Sequence, residues 1–267
     1  MSGQKRLDIN SRQNHIIELV REQGYASIEM MAGRFGVSQQ TVRRDIIYLS
    51  EKKLLQRHHG GAGLPSGINS LAYSNRKIRN TREKHLISNA IAAQIPNGAS
   101  LYIDIGTTME AVANALLEHE GLRIITNHIG VVSILCEKTD FEIILTGGLV
   151  RNRDRAVTGE ATTAFLRQFR VGYGIFGIGS ITDDGQLLDY DYRDAQASRA
   201  ALEISRHKFA AADHSKFNAD AMMPFAHVSE IDGLFTDKPP PAPIADAIRQ
   251  GKTDLFIVPE SVQVKQA

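Results

Sequence analysis

The chain has 267 residues, 42% hydrophobic and 23% charged, the composition of a folded protein rather than a disordered one. A single cysteine, Cys136, excludes an internal disulfide framework and any cysteine-based zinc cluster. No segment reaches the roughly 18 to 20 uncharged apolar residues of a membrane span, and the start, MSGQKRLDINSRQ, lacks the apolar stretch of a signal peptide, so a soluble cytoplasmic protein is expected.

The net charge of +1 conceals an asymmetry. Residues 1–60 hold ten Lys or Arg against six Asp or Glu, a balance of +4; the remainder holds 21 against 24, a balance of −3. A basic N-terminal piece on a mildly acidic body predicts two parts that meet different partners, with one sizeable core and a small satellite.

From Ser11 to Gln23, Ile16, Ile17, Leu19 and Val20 form a helical stripe that Gly24 ends. Ser27 then reads as an N-cap, and Ile28, Met31, Ala32 and Phe35 line a second short helix that stops at Gly36. Ser38 caps a third helix, because its hydroxyl can accept from backbone N–H groups two or three residues on. In that helix Val42, Ile46 and Leu49 recur at i, i+4 and i+7 and point to a core. Two short helices across a glycine turn are a helix-turn-helix, and the small Ala32 lets them cross closely.

The second of these helices would present Ser38, Gln39, Gln40, Thr41, Arg43 and Arg44 outward. Glutamine can bond adenine through both amide atoms, arginine can fork onto guanine, and Ser, Thr and Arg hold phosphates. LLQR followed by HHGG reads as the strand and tight turn of a wing, with Arg57 and His58 placed to touch backbone or minor groove. A helical dimerisation module with solvated arginines is the plainer alternative. The cap, the glycine turn, the polar-basic face and the basic wing together favour DNA. The pair His58-His59 has no Cys, Asp or Glu nearby at ligand spacing, so no metal is expected.

Residues 60–82 are rich in Gly, Pro, Ser, Asn and basic side chains and read as a connector. An amphipathic helix over 83–94 follows, and from residue 99 apolar strands alternate with helical segments. The expected strands are SLYIDI, LRIIT, FEIILT, VGYGIFGIG, KFAAAD and IDGLFTD, with helices over 109–117, 129–136, 162–169 and 194–206. PPPAP, from Pro239, reads as a short rigid loop. Such alternation predicts a mainly parallel sheet covered on both faces, with ligands beyond the carboxyl ends of its strands.

Three strand ends carry suitable chemistry. In DIGTTME, opened by Asp104, Gly106 permits close backbone approach, and the Thr107 and Thr108 hydroxyls and a helix N-terminus can donate to an anion. The loop is short and has no lysine, so a small phosphate ester suits it better than a nucleoside triphosphate; a plain Thr-capped turn is the alternative. In DHSKF, Lys216 emerges where it could neutralise a phosphate, or could be an ordinary surface lysine. Asn127 and Gly147-Gly148 end two other strands, where turn chemistry explains them equally well.

The segments RQNHIIELVREQGY, SQQTVRRDI and LLQRHHGGA resemble the DeoR family of bacterial transcription regulators, and Ser38, Thr41, Arg43, Arg44 and Asp45 match its helix motif. DIGTT, ITN at 125–127, TGG at 146–148 and ADHSKF at 212–217 resemble its effector domain, which is similar in fold to ribose-5-phosphate isomerase. The resemblance implies an α/β chain: a winged helix-turn-helix DNA-binding domain over 1–62, a linker over 63–82, a sugar-phosphate-sensing α/β domain over 83–258 and a tail over 259–267. Within the family, QIPNGASLYIDIGTT, TGEATTAFLRQFRV and TDKPPP are most similar to members that govern glycerol catabolism. That implies a repressor on double-stranded operator DNA, released by sn-glycerol 3-phosphate, acting as a homodimer or homotetramer without a cofactor. Many members carry Lys-Arg where this chain has Ser198-Arg199. Either Arg199 and Lys216 suffice for the phosphate, or the effector is another small phosphate ester such as a hexose or pentose phosphate.

A sugar-phosphate isomerase is the rival reading. It needs a carboxylate base over the substrate carbon, yet FGIGSI, over 176–181, has no carboxylate until Asp183. Asp189, Asp191 and Asp194 cluster further on, and such turns more often bind hydroxyls or water. A binding site that has the fold without the chemistry is expected.

Overall fold

A computed structural model describes residues 10–23, 25–52, 54–58, 60–63, 73, 76–138 and 140–258, which fall into two compact units divided between Arg79 and Asn80. Gly24, His59, the linker residues 64–72, 74 and 75, and the tail over 259–267 lie outside the described residues. Among the described residues no helix is long and apolar enough to cross a membrane.

The first unit runs α1 (Ser11–Gln23), β1 (Tyr25–Ser27), α2 (Ile28–Phe35), α3 (Gln39–Glu51), β2 (Gln56–His58) and β3 (Gly61–Gly63). Its helix ends are where the capping chemistry puts them. Asn10 and Gln13 bond reciprocally across the start of α1. Ser27 accepts from the Met30 amide and Ser38 from the Thr41 amide, each at 3.1 Å. Gly36, at φ +63°, returns the chain left-handed after α2, a conformation a side chain would strain. Ile16, Val20, Met31, Val42, Ile46 and Leu49 are buried together as one core. Full burial of each is worth roughly 1.5–3 kcal/mol. The three strands form an antiparallel sheet in the order β1-β3-β2. Strand β1 was not expected: at three residues it has no periodicity to read, and Ser27 serves both as strand end and as cap.

The second unit opens with α4 (Thr81–Ala92), β4 (Ser100–Ile103), α5 (Thr107–Ala115), β5 (Arg123–Thr126), α6 (Ile129–Leu135) and β6 (Glu142–Leu145). A hairpin of β7 (Leu149–Arg151) and β8 (Ala156–Thr158) leads to α7 (Glu160–Leu166), β9 (Val171–Gly177), β10 (Ser180–Ile181) and β11 (Gln186–Asp189). Then come α8 (Tyr192–Ile204), β12 (Ser205–Ala211), β13 (Met223–His227), β14 (Gly233–Thr236), α9 (Ala242–Gly251) and β15 (Asp254–Ile257).

Seven of these strands make one parallel sheet in the order β15-β14-β12-β9-β4-β5-β6. Side-chain alternation divides its core in two. Leu101, Ile103, Ile124 and Phe235 pack with Ile87 of α4 and Met109 and Val112 of α5. Tyr102, Ile125, Phe176 and Leu234 face the other way, onto Leu166 of α7, the alanines of α8 and Ile244 of α9. The strand order grows outward in one direction through β5 and β6 and in the other through β12, β14 and β15. The reversal falls between β4 and β9, so the crevice beyond their carboxyl ends is the switch point of the sheet.

Several features depart from the sequence expectation. The β7–β8 hairpin follows the Gly147-Gly148 turn, and β10, β11 and β13 form a separate antiparallel sheet. The PPPAP run is not a loop throughout: Pro241 is the N-cap of α9 and Pro243 lies in its first turn, where a missing N–H costs nothing. Helix α5 starts at Thr107, directly after the glycine, rather than two residues later.

Candidate DNA-contact surface and effector site

Helix α3 separates its residues sharply. Val42, Asp45, Ile46 and Leu49 are buried, while Ser38, Gln39, Gln40, Arg43 and Arg44 are exposed and Thr41 is half-buried. The Ser38 and Thr41 hydroxyls bond each other at 2.9 Å, and an Arg43 guanidinium nitrogen donates to Gln39 Oε1 at 3.3 Å. One helix face therefore gathers the six residues expected there. Arg57 is exposed on β2 opposite Ala62, one residue back from the turn, and His58 follows it opposite Gly61. Asp45, which matches the family's helix motif but has no role assigned from the sequence, is buried.

In the second unit, α5 begins where β4 ends. Gly106, at φ +113°, caps the helix without a side chain, and a Cβ there would meet nothing within 4 Å. The backbone is thus open to a ligand at the helix N-terminus, flanked by half-buried Thr107 and Thr108. Glu110, in the same first turn, points elsewhere: it is buried against Gly130, where an added Cβ would stand 2.3 Å from its Oε1.

Asp104 is fully buried at the end of β4. Ser198 of α8 donates to it at 3.1 Å, while the Tyr102 hydroxyl lies 3.0 Å from its carboxylate and 2.9 Å from the Asn127 amide oxygen. Burial, reinforced by the charge of Asp189, pushes the Asp104 carboxyl up to about 7. A phenol has one proton to give, so with Asp104 ionised Tyr102 serves only one of its two acceptors. A protonated Asp104 can donate to Tyr102 and leave Tyr102 to donate to Asn127. Asn127 in turn donates to the Val157 carbonyl at 3.2 Å and accepts from its amide at 2.7 Å, which ties β5 to the hairpin.

Lys216 lies on a short 3-10 turn, His214–Lys216, capped by Asp213. Its ammonium stands 5.7 Å from the ring centroid of Tyr190, whose hydroxyl donates to the Gly179 carbonyl just past the end of β9. The lysine therefore sits beside the switch point. Gly147 is exposed with open space over its Cα, and its carbonyl accepts from Thr162 at 2.8 Å. Arg199 is not brought to this group. Its guanidinium holds Glu230 and donates to the Phe225 carbonyl.

The acidic cluster is organised by a residue that the sequence did not single out. Arg151, at the end of β7, holds Asp154 at 2.8 Å, Asp194 at 2.7 Å and Asp191 at 3.0 Å, and Arg153 holds Asp191 at 3.1 Å. Burial opposes the arginine's charge, but hydrogen bonds to Asp154 and Asp194 outweigh it and raise its pKa further. Burial raises the Asp194 carboxyl, with Arg151 opposing. Nothing near Asp194 in the chain order predicted this, because the partner lies 43 residues away in a hairpin that has no strong strand pattern. The His214 ring and backbone amide are both held by Asp237, just past the end of β14.

A winged helix-turn-helix in one chain with an α/β unit whose open helix N-terminus, buried carboxyl and lysine lie around the switch point defines a DNA-binding regulator with a sensor domain. The DeoR-like helix-turn-helix domain matches residues 12–67 and the DeoR C terminal sensor domain matches residues 79–238. The chain belongs to the DeoR family.

It is 49% identical over 237 residues to the glycerol-3-phosphate regulon repressor of Escherichia coli (strain K12), covering 89% of this chain and 94% of the relative. It is 45% identical over 246 residues to the protein of the same name from Haemophilus influenzae, covering 92% and 96%. Among solved structures, ribose 5 phosphate isomerase A from Neisseria gonorrhoeae overlays 51% of this chain and 53% of its own, at 12% identity and a TM-score of 0.38.

Proposed function

We propose that the protein represses genes of glycerol and glycerol 3-phosphate catabolism and leaves its operator when sn-glycerol 3-phosphate binds. The observation that carries this reading is the 49% identity to a glycerol-3-phosphate regulon repressor over 94% of that relative's length. In this reading Ser38, Gln39, Gln40, Thr41, Arg43 and Arg44 meet the operator major groove, with Arg57 and His58 on the flanking backbone. The phosphate rests on the amides and hydroxyls of Gly106, Thr107 and Thr108 and draws its counter-charge from Lys216. Asp104, Asn127 and Gly147 frame the glycerol end. Arg199, committed to Glu230, is left out of the site. The protein works in the cytoplasm as a homodimer or homotetramer, so that two winged helices grip two half-sites.

In this reading the ligand is sensed rather than converted, as the names of the repressor relatives suggest, and Asp191 and Asp194 are tied to Arg151. Effector and operator then weaken each other by one shared factor, typically about 1–3 kcal/mol of coupling.

A thermal-shift panel tests the effector assignment. Glycerol 3-phosphate at ~100 times its dissociation constant should add about 2.7 kcal/mol to the unit that binds it, and free glycerol should add nothing. A response to a hexose or pentose phosphate in its place would discard the regulon while keeping the regulator.

A further inference from the structure

Asp45 lies in the middle of the helix that carries Arg43 and Arg44, yet it is buried rather than displayed. Its carboxylate accepts from Arg12 Nε at 2.7 Å, from Arg12 Nη2 at 3.3 Å and from Gln13 Nε2 at 2.9 Å. Gln13 is itself fixed by the reciprocal bonds with Asn10 that open α1. The first turn of α1, which is outside the helix-turn-helix pair, is thereby fastened to the centre of α3. The Asp45 side chain is 6% exposed, so its charge has little water to screen it. An uncompensated carboxylate one residue from Arg44 would oppose the phosphates that Arg44 approaches, and would loosen the rotation of α3 about its own axis.

We infer that Arg12 and Gln13 are positioning residues for DNA recognition: they neutralise and hold Asp45, and so fix the angle at which α3 presents its outward side chains. This rests on α3 being the DNA-contacting helix. A plain surface ion pair would be worth little. The bidentate geometry and the burial of one partner set this pair apart.

The test uses the full-length chain and the duplex that the wild-type protein enriches most strongly from a random-sequence library, beside a scrambled duplex of equal length. Four variants are compared after titration of their active fraction: Arg12→Ala, Asp45→Asn, the two combined, and Arg44→Ala as a reference. Arg12→Ala should lower the ratio of enriched to scrambled affinity roughly tenfold, the discrimination carried by one displaced base contact. The salt slope should stay that of the wild type, and adding Asp45→Asn should restore most of the ratio.

If Arg12→Ala weakens both duplexes alike and flattens the salt slope by about one, Arg12 is itself a phosphate contact and the positioning role is wrong. An unchanged ratio with only a lower melting temperature would make the pair structural alone, which also overturns the inference. Wild-type binding by Arg44→Ala would remove α3 from the DNA and take the inference with it. Weak binding by Arg44→Ala with an unaltered Arg12→Ala would sink the inference alone.

Discussion

Ser198 donates its hydroxyl to the Asp104 carboxylate at 3.1 Å, joining helix α8 to the end of β4. The side chains that hold Asp104 are two neutral hydroxyls, from Ser198 and Tyr102, and its carboxyl titrates near neutrality, at about 7, instead of 3.8. A lysine in place of Ser198 would meet the same carboxylate with a charge.

The raised carboxyl sets a pH dependence. Between the unfolded value of 3.8 and the folded value of about 7, the folded state binds the proton more tightly, so unfolding releases it. Stability from this group is therefore fully present below 3.8 and is lost as pH rises through about 7. Chemical denaturation of the wild type and of Asp104→Asn at pH 5 and pH 8 should show the wild type losing roughly 1–4 kcal/mol more than the variant across that interval. Equal losses would place the proton elsewhere.

Arg151 compensates three carboxylates at once, with Asp194 5% exposed and Asp154 9% exposed. Arg151→Met should cost roughly 3–5 kcal/mol of stability in the second unit, because it strands buried charge. Urea denaturation measures this directly. A loss below 1 kcal/mol would mean that water reaches the cluster, and the hairpin is not clamped by it.

Two neighbouring glycines should behave oppositely. Gly148 has φ +144°, and a Cβ on it would stand 2.3 Å from Thr162 Oγ1 and 2.8 Å from the Thr158 carbonyl, so Gly148→Ala should destabilise by at least roughly 1–3 kcal/mol. Gly147 has open space and no left-handed backbone. Gly147→Ala should leave the melting temperature unchanged and weaken effector binding. Unaltered effector affinity in Gly147→Ala would remove that backbone from the site.

Lys216 offers the positive charge beside the switch point. Lys216→Ala should bind operator as the wild type does and need at least roughly tenfold more glycerol 3-phosphate for release, the loss of one charge-assisted bond. Electrophoretic mobility shifts at graded effector concentrations report both quantities. Release at the wild-type concentration would exclude the lysine.

The sequence made parts of this legible and others not, for definite reasons. Caps and glycine stops act within three or four residues, so Ser27, Gly36 and Ser38 bounded their helices correctly and the exposure of Arg43 and Arg44 followed. Six of the seven parallel strands read as apolar runs, while β15, a half-exposed edge strand after the proline run, did not. The antiparallel strands β10, β11 and β13 are short and two of them pair with a partner far along the chain, so no local period marked them. The clamp by Arg151 and the hold of Arg12 on Asp45 span 43 and 33 residues, and charge in a sequence does not say which carboxylate an arginine will meet. Arg199 shows the same limit in reverse: adjacent to Ser198 in the chain, it faces Glu230 while Ser198 faces Asp104.

The central claim is tested most directly by fluorescence anisotropy of the full-length chain on its enriched duplex, titrated with sn-glycerol 3-phosphate and, separately, with glycerol and inorganic phosphate. The account predicts that the duplex dissociates with glycerol 3-phosphate and remains bound with either fragment at the same concentration. A complex that holds through glycerol 3-phosphate but falls apart with another phosphate ester would contradict the assigned effector. A complex that none of them disturbs would contradict the sensor itself.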